Sequence, residues 1–316
     1  MRAMVFTRTG VVEMLDIAEP EPQDGELVID VAIAGICGSE LHGISQPGFR
    51  VPPLVMGHEF AGTTPDGRRV VVNPILSCGT CPTCSIGLPN VCESRRIVGV
   101  HLPGGFAERV AVPEASVRDV PADLTWGRAA VIEPLANAVH AWNLVPSSAE
   151  RVGIIGAGAI GLACLLAGRT FVADRVIDVA DTSPDRRRDA EQLGATRVGE
   201  ALDGQYDAVI EAVGLPVTRA GSVTALRNGG TAVWLGLSSS DSGMDGAALV
   251  RGEKRVVGSF AYTPDEFDRA VDLAAGVDTS WTTVHPLEAG ADVFMSLMAT
   301  PSTAKALLVT KGYLDA

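Results

Sequence analysis

The segment that most constrains the fold is a glycine loop between an apolar strand and an apolar helix. The strand, which begins at Arg151, has the sequence RVGII, the loop GAGAIG runs from Gly156 to Gly161, and the helix continues as IGLACLLAGR. Further apolar strands, separated by helical segments, follow as far as TAVWLGL. Alternating strands and helices predict a parallel sheet with helices on both faces. The sequence therefore predicts an α/β fold with a doubly wound sheet in this region.

The glycines of this loop predict a dinucleotide site. Gly156 permits a tight turn, Gly158 lets the backbone approach a pyrophosphate, and Gly161 lets helix and strand pack closely. The first helical turn offers unpaired N–H groups to the phosphates. Asp181 ends the next strand, where a carboxylate binds the ribose hydroxyl groups and repels a 2′-phosphate. We therefore predict NAD in preference to NADP, with Arg186 reaching the adenine ribose.

The predicted cofactor contacts extend to the ends of the later strands. Besides the five residues already named, they are Ile160, Val213, Gly214, Leu235, Gly236, Leu237, Ser259 and Phe260. Two alternatives remain open. The loop could be a glycine-rich turn in a nucleotide-free α/β unit, and the arginines that follow Asp181 could weaken the preference for NAD.

Four of the six cysteines lie within fifteen residues, in the segment CGTCPTCSIGLPNVC. Four thiolates at this spacing can close a tetrahedral shell around one Zn²⁺, which leaves no position for substrate, so the predicted metal is structural. A disulfide pair is the alternative, but the tight spacing argues against two unstrained bridges. The predicted ligands are Cys78, Cys81, Cys84 and Cys92.

A second set of metal-binding side chains is spread over three segments. Cys37 lies in GICGSELHG, His58 and Glu59 lie in GHEFAG, and Glu133 lies in IEPLANAVHA. A thiolate, an imidazole and a carboxylate together form a credible catalytic zinc shell with one position left for water or substrate. Each residue alone is more typical of a buried core position. The spacing by itself does not bring the three segments together.

Length, charge and hydropathy argue against several classes of protein. At 316 residues the chain is predicted to form two domains. Its net charge of −13 argues against nucleic acid, whose binding needs Lys and Arg patches. The most apolar stretch, 152–168, is interrupted by glycines, and the N-terminus lacks the apolar core of a signal peptide. We therefore expect a cytoplasmic protein with no nucleic-acid or membrane partner and with reduced thiols.

The chain resembles the zinc-dependent medium-chain alcohol dehydrogenases, and within them the sorbitol and threonine dehydrogenase branch. GICGSELHG, GHEFAG, the four-cysteine segment, GGFAERVAVP, EPLANAVHA and GAGAIG follow the family's order and span nearly the whole chain. The resemblance implies a β-rich GroES-like catalytic domain over 1–133 with 260–316, and a Rossmann domain over 134–259. It further implies an active site in the cleft between them, two zinc ions per chain, and a homodimer or homotetramer.

The resemblance also implies which residues act in catalysis. The catalytic zinc is expected on Cys37, His58 and either Glu133 or Glu59, and the glutamate at 133, where other alcohol dehydrogenases carry Cys, favours the polyol branch. Hydride passes from the alcohol carbon to nicotinamide. The alcohol's proton is expected to leave through Ser39, the nicotinamide ribose and then His42. The alternatives are a simple turn hydroxyl for Ser39 and, for His42, a loop histidine that only contacts cofactor phosphate.

The implied reaction is the reversible oxidation of a secondary alcohol to a ketone on a small polyol, cyclitol, amino alcohol or sugar-like molecule. Two other classes stay open, namely a zinc-free quinone or enoyl reductase that uses NADPH and a non-catalytic nucleotide-sensing relative. The chain departs from the family at Glu40, where most relatives have Asp, and in two shortened loops. His101, in VHLPGG, lies on a loop that either borders the predicted cleft or faces solvent.

Overall fold

The structure is a computed structural model that describes residues 1–45, 50–300 and 303–313. The chain divides into two compact units. One comprises Met1–Glu133 and Thr263–Ala316, and the other comprises Pro134–Tyr262. No helix in the described ranges is long and apolar enough to cross a membrane.

The first unit is built mainly from antiparallel strands. Its strands are β1 (Arg2–Arg8), β2 (Val11–Asp16), β3 (Glu26–Gly35), β4 (Leu54–Val55), β5 (Glu59–Thr63), β6 (Arg69–Val72), β7 (Ile75–Leu76), β8 (Arg96–Ile97), β9 (Arg109–Pro113), β10 (Val117–Asp119), β17 (Thr282–Pro286) and β18 (Lys305–Val309). The largest sheet has the order β10-β6-β5-β3-β18-β17, with β9 also paired to β3. A smaller sheet has the order β2-β1-β4, and β7 pairs with β8.

The first unit also contains helices, and the three nearest the N-terminus span only four to six residues each. They are α1 (Gly38–Gly43), α2 (Pro82–Ser85), α3 (Trp126–Ala130), α9 (Pro264–Ala274) and α10 (Gly290–Ala299). A further helix, α4 (Ile132–Leu144), begins at the end of the first unit's N-terminal segment and continues into the second unit.

Strand β3 is central to the first unit, and its register positions the functional residues. Its C-terminal half is buried without interruption, as expected for a strand paired on both sides. Gly35, the last residue of β3, lies opposite Glu59 of β5 and opposite Leu307 of β18. Residues from the beginnings of β5 and β18 therefore converge where β3 ends and the chain enters α1.

The second unit contains a six-stranded parallel sheet. Its strands are β11 (Arg151–Ile155), β12 (Val176–Ala180), β13 (Arg197–Gly199), β14 (Tyr206–Glu211), β15 (Leu226–Trp234) and β16 (Arg255–Gly258), and its helices after α4 are α5 (Ala159–Phe171), α6 (Pro184–Gln192), α7 (Pro216–Thr224) and α8 (Gly246–Arg251). The strand order is β13-β12-β11-β14-β15-β16, and every pairing is parallel. This is the order of a dinucleotide-binding fold, with its ligand site expected where the strands end. The predicted fold class is confirmed.

Candidate metal centres and cofactor site

Three of the predicted catalytic ligands meet beside the end of β3. Cys37, His58 and Glu59 each offer one ligand atom, and these atoms all lie within 4.8 Å of one another. Cys37 forms the N-cap of α1, and Glu59 begins β5. The antiparallel pairing of β3 with β5 brings the two segments together. Sulfur, imidazole nitrogen and carboxylate oxygen are a donor set that suits Zn²⁺, so the residues present fit this metal.

Glu40 holds two of these ligands in place. Its buried carboxylate accepts hydrogen bonds from the backbone N–H of Cys37 at 3.0 Å and of Gly57 at 3.0 Å, and it contacts Nδ1 of His58 at 2.9 Å. Because Nδ1 is engaged, Nε2 remains as the nitrogen for a metal. A glutamate in place of the family's usual aspartate therefore still links the thiolate segment to the imidazole.

Charged groups around His58 determine how strongly its ring binds a proton, which competes with a metal for the same nitrogen. Burial alone would lower the pKa of His58, but the Glu40 carboxylate and the Cys37 thiolate raise it well above its ordinary value. Burial alone would raise the pKa of Glu40, but His58 and Arg50 hold it below its usual range. A proton therefore competes with a metal at this ring as the pH falls.

Lys305 pairs with Glu59 in the interior of the first unit. The two side chains are 0% and 1% exposed, and the Lys305 ammonium also donates to the backbone carbonyl of Ile36 at 3.1 Å. Burial would lower the pKa of Lys305, but Glu59 and Cys37 raise it above its ordinary value. A Cβ at Gly35 would lie 2.7 Å from Cε of Lys305, so the glycine leaves room for this pair. Lys305 is not among the residues predicted from the sequence, although a lysine that opens the apolar strand KALLVT was a visible signal.

Glu133 lies outside the three-residue cluster. It is the second residue of α4 and is 7% exposed. In the described part of the chain, the group of ligand atoms within 4.8 Å of one another contains Glu59 and not Glu133. Of the two carboxylates that the sequence analysis offered, the structure thus brings Glu59 to Cys37 and His58.

Ser39 and His42 lie on one side of α1. They are three residues apart and exposed, whereas Glu40 and Gly43 of the same helix are buried. Residues at this spacing share a helix face. The Ser39 hydroxyl donates to Sγ of Cys37 at 3.4 Å. The serine therefore adjoins the cluster, and the histidine lies about one helical turn farther along.

The four-cysteine segment forms a second cluster. The Sγ atoms of Cys78, Cys81, Cys84 and Cys92 all lie within 4.8 Å of one another, and all four are free thiols. The backbone N–H of Cys81 donates to Cys78 at 3.3 Å, and that of Cys84 donates to Cys81 at 3.5 Å. Backbone N–H groups of Thr80 and Cys81 lower the pKa of Cys78 to about 6. Four sulfur atoms grouped in this way fit a structural zinc ion, and the disulfide alternative finds no support.

The glycine loop of the second unit has the geometry of a phosphate site. Gly156 adopts a φ of +95° at the end of β11, a conformation that favours glycine. A Cβ at Gly161 would lie 2.8 Å from the carbonyl carbon of Gly156, so a side chain there would collide with the turn. At Gly158, the N-cap of α5, a Cβ would meet nothing within 4 Å. The loop therefore leaves space in front of the helix, which fits a pyrophosphate.

Asp181 is held beside this loop at the end of β12. Its carboxylate accepts hydrogen bonds from the backbone N–H of Ala157 at 2.8 Å and of Ser183 at 2.8 Å. Arg186 lies 3.9 Å from the same carboxylate. A carboxylate and a guanidinium group therefore lie together at the end of β12.

The other predicted cofactor residues also lie near strand ends of this sheet. Glu211, which ends β14, accepts hydrogen bonds from the backbone of Val213 at 2.9 Å and of Gly214 at 2.7 Å. A Cβ at Gly214 would lie 2.5 Å from the backbone of Leu237, so the loops after β14 and β15 touch. The remaining predicted residues are Ile160 in the first turn of α5, Leu235 and Gly236 after β15, and Ser259 and Phe260 after β16.

Comparison with known proteins identifies the family. The alcohol dehydrogenase GroES-like domain matches residues 23–122, and the zinc-binding dehydrogenase family matches residues 159–276. L-Galactonate-5-dehydrogenase of Escherichia coli K12 is 34% identical over 287 residues, which cover 81% of this chain and 82% of the relative. The chain belongs to the zinc-type alcohol dehydrogenase family. The resemblance found in the sequence is thereby confirmed, and the protein is an oxidoreductase linked to a nicotinamide nucleotide.

Solved structures of family members agree with this assignment. An alcohol dehydrogenase of Escherichia coli CFT073 in complex with NADH superposes with a TM-score of 0.88 at 27% identity, covering 98% of this chain and 99% of the other. A zinc-binding dehydrogenase of Sinorhizobium meliloti bound to NADP gives a TM-score of 0.89 at 29% identity, covering 98% of both chains. The two proteins hold different nicotinamide nucleotides. Family membership therefore leaves the choice between NAD and NADP to local residues.

Proposed function

We propose that this zinc-type dehydrogenase oxidises a secondary alcohol of a polyol or sugar acid to a ketone, and catalyses the reverse reduction. The observation that carries the proposal is the cluster of Cys37, His58 and Glu59 beside the exposed Ser39. The similarity to a galactonate dehydrogenase supports this substrate class. The test is a spectrophotometric assay of NADH formation with matched polyols, aldonates, cyclitols and amino alcohols, and absence of NADH formation with all of them would overturn the proposal.

A bound zinc ion would supply a Lewis acid for the substrate oxygen, and a bound nicotinamide would accept the hydride. Cys37, His58 and Glu59 would hold the metal, with Glu133 as the alternative to Glu59. Glu40 fixes the orientation of the imidazole. Lys305 neutralises Glu59 and keeps its carboxylate inside the unit.

The chain's own residues offer a route for the alcohol's proton. The Ser39 hydroxyl adjoins Cys37, and the exposed His42 shares its helix face. Ser39 would accept the proton at its Oγ and pass its own hydroxyl proton on towards His42, and His42 would release a proton to solvent. An exposed histidine suits the solvent end of such a relay, because imidazole titrates near neutral pH.

Loss of Ser39 is expected to slow alcohol oxidation more than loss of His42. General-base groups typically contribute ~10²–10⁴-fold, and Ser39→Ala has no bulk water to replace the hydroxyl beside the cluster. His42→Ala should slow oxidation most at low pH, where hydroxide cannot substitute for the lost base. The measurement is kcat against pH for both variants, with zinc content and NAD affinity as controls that should stay unchanged. Normal turnover with unchanged pH profiles would show that protons leave by another route.

We also propose that the enzyme prefers NAD. The support is the carboxylate of Asp181, which the backbone of Ala157 and Ser183 holds at the end of β12. A fixed carboxylate repels the 2′-phosphate of NADP and accepts hydrogen bonds from the ribose hydroxyls of NAD. Arg186, 3.9 Å from Asp181, is the residue that opposes this preference.

Replacement of Asp181 by Ser is expected to remove most of the preference for NAD. Like charges brought together in a site cost several kcal/mol. Because 1.4 kcal/mol corresponds to a factor of ten in an equilibrium or rate constant, we expect the unmodified enzyme to favour NAD by about tenfold or more in kcat/KM. In Asp181→Ser, Arg186 is left to attract the 2′-phosphate, and efficiency with NADP should rise. Kinetic titration with both nucleotides checks this. Equal efficiency with NAD and NADP in the unmodified enzyme would contradict it.

Several further properties belong to the same proposal. The four-cysteine cluster would hold a second zinc ion with a structural role, which gives two per chain. We place the catalytic domain at 1–133 with 260–316 and the nucleotide-binding domain at 134–259. We further propose a cytoplasmic homodimer or homotetramer whose partners are small-molecule alcohols and ketones.

A further inference from the structure

A loop that carries cationic side chains packs directly on the backbone of His58. The N–H of Gly105 donates to the carbonyl of Gly57 at 2.8 Å, and that of Phe106 donates to Met56 at 2.9 Å. A Cβ at Gly99 would lie 2.8 Å from the backbone nitrogen of His58. The segment from residue 95 to residue 105 is therefore fixed beside the catalytic cluster.

His101, near the middle of this loop, is held through one ring nitrogen, which leaves the other as an N–H group. The backbone N–H of Ile97 donates to Nδ1 of His101 at 2.9 Å, so Nδ1 is an acceptor and the hydrogen of the neutral ring lies on Nε2. The side chain is exposed. Partial burial of the ring, followed by the charges of Arg95, Arg96 and Arg50, lowers the pKa of His101, which favours the neutral ring and this arrangement at neutral pH.

The charges that act on His101 are positive, and one of them, that of Arg50, also acts on residues at the catalytic cluster. Arg95, Arg96 and Arg50 are close enough to act on its ring, and Arg50 also acts on Cys37 and Glu40. Arg50 is 2% exposed and donates to the carbonyl of Ser39 at 3.1 Å, so its charge is held within reach of both the cluster and His101. A cationic group of this kind is notable in a chain with a net charge of −13. It creates a local potential that attracts anions to this place.

We propose that His101 and Arg96, with the charges of Arg50 and Arg95, bind an anionic group of the substrate while its secondary alcohol lies at the catalytic cluster. The anionic group is a carboxylate or a phosphate ester, since both accept hydrogen bonds from N–H donors and are attracted by guanidinium groups. This inference rests on the proposed function and names the substrate class within it. His101 and Arg96 are specificity-determining residues, and the buried Arg50 acts only through its charge.

The test compares kcat/KM for matched compounds that differ only in a terminal group. These are a hexitol, the aldonate of the same configuration and the hexitol phosphate, each taken in several stereochemical series. We expect kcat/KM to be about 10- to 100-fold higher for an anionic member, the range of a charge-assisted hydrogen bond. His101→Leu and Arg96→Gln should each remove about tenfold or more of that advantage and leave the hexitol unchanged. Arg68→Gln is the control, because Arg68 is an exposed arginine paired with Asp66 and Asp119.

The two anionic members distinguish a carboxylate site from a phosphate site. Equal kcat/KM for neutral and anionic members, or variants that affect both alike, would overturn this inference and leave the proposed function standing. Calorimetric binding of the same compounds to the NAD-loaded enzyme tests the inference separately from turnover. If His101→Leu and Arg96→Gln lower the affinity for the anionic compounds, the inference is supported even if no substrate is turned over. If neither variant changes that affinity, the inference is overturned.

Discussion

Cys37→Ala is expected to lower kcat/KM by about 10³-fold or more while the protein stays folded. A metal ion at the reacting oxygen contributes several kcal/mol of transition-state stabilisation, and each 1.36 kcal/mol is a factor of ten. Cys37 supplies the thiolate of the only three-donor cluster of Cys, His and carboxylate atoms found among the described residues. The measurement is steady-state kinetics together with elemental analysis, which should show the loss of one zinc ion per chain.

Cys164→Ala is the matched control for this prediction. Cys164 is a buried thiol within α5 and belongs to neither metal cluster. Its replacement should leave both zinc ions and kcat/KM in place and reduce stability modestly. Full activity of Cys37→Ala with an unchanged zinc content would contradict the assignment of the catalytic centre.

Cys81→Ser is expected to act on stability. Binding of zinc to a structural four-sulfur site releases ~10–16 kcal/mol in small zinc-finger peptides, and much of this is folding free energy. Because 1 kcal/mol shifts Tm by ~2–4 °C in domains of 150–250 residues, loss of even about 5 kcal/mol of this free energy should lower Tm by roughly 10–20 °C. Calorimetry and metal analysis check this, with loss of one zinc ion per chain. Unchanged stability together with abolished chemistry would reverse the roles of the two clusters.

The sequence predicted the parts of the fold that local signals define. The glycine loop, its flanking strand and helix, and the position of Asp181 all lie within one β-α-β segment, whose conformation depends on nearby residues. The four-cysteine cluster is likewise contained in one short segment. In both cases spacing along the chain carries the necessary information.

The sequence could not predict contacts that depend on the register of distant strands. The convergence of Cys37 and Glu59 depends on the pairing of β3 with β5, and the burial of Lys305 depends on the pairing of β18 with β3. The same strand pairing decides which carboxylate joins the cluster, so the choice between Glu59 and Glu133 stayed open. Glu40 was recognised only as a departure from the family. Its contacts to Cys37, Gly57 and His58 became evident from the structure.

We propose that this chain carries two zinc sites, of which the one at Cys37, His58 and Glu59 performs the chemistry. The most direct measurement follows turnover and zinc content together while a chelator removes metal and zinc is then restored. We expect two zinc ions per chain at the start, loss of turnover in proportion to loss of one of them, and recovery when that one is replaced. Full turnover in protein that holds no zinc, or NADPH-dependent reduction of a quinone or enoyl substrate by that protein, would contradict it.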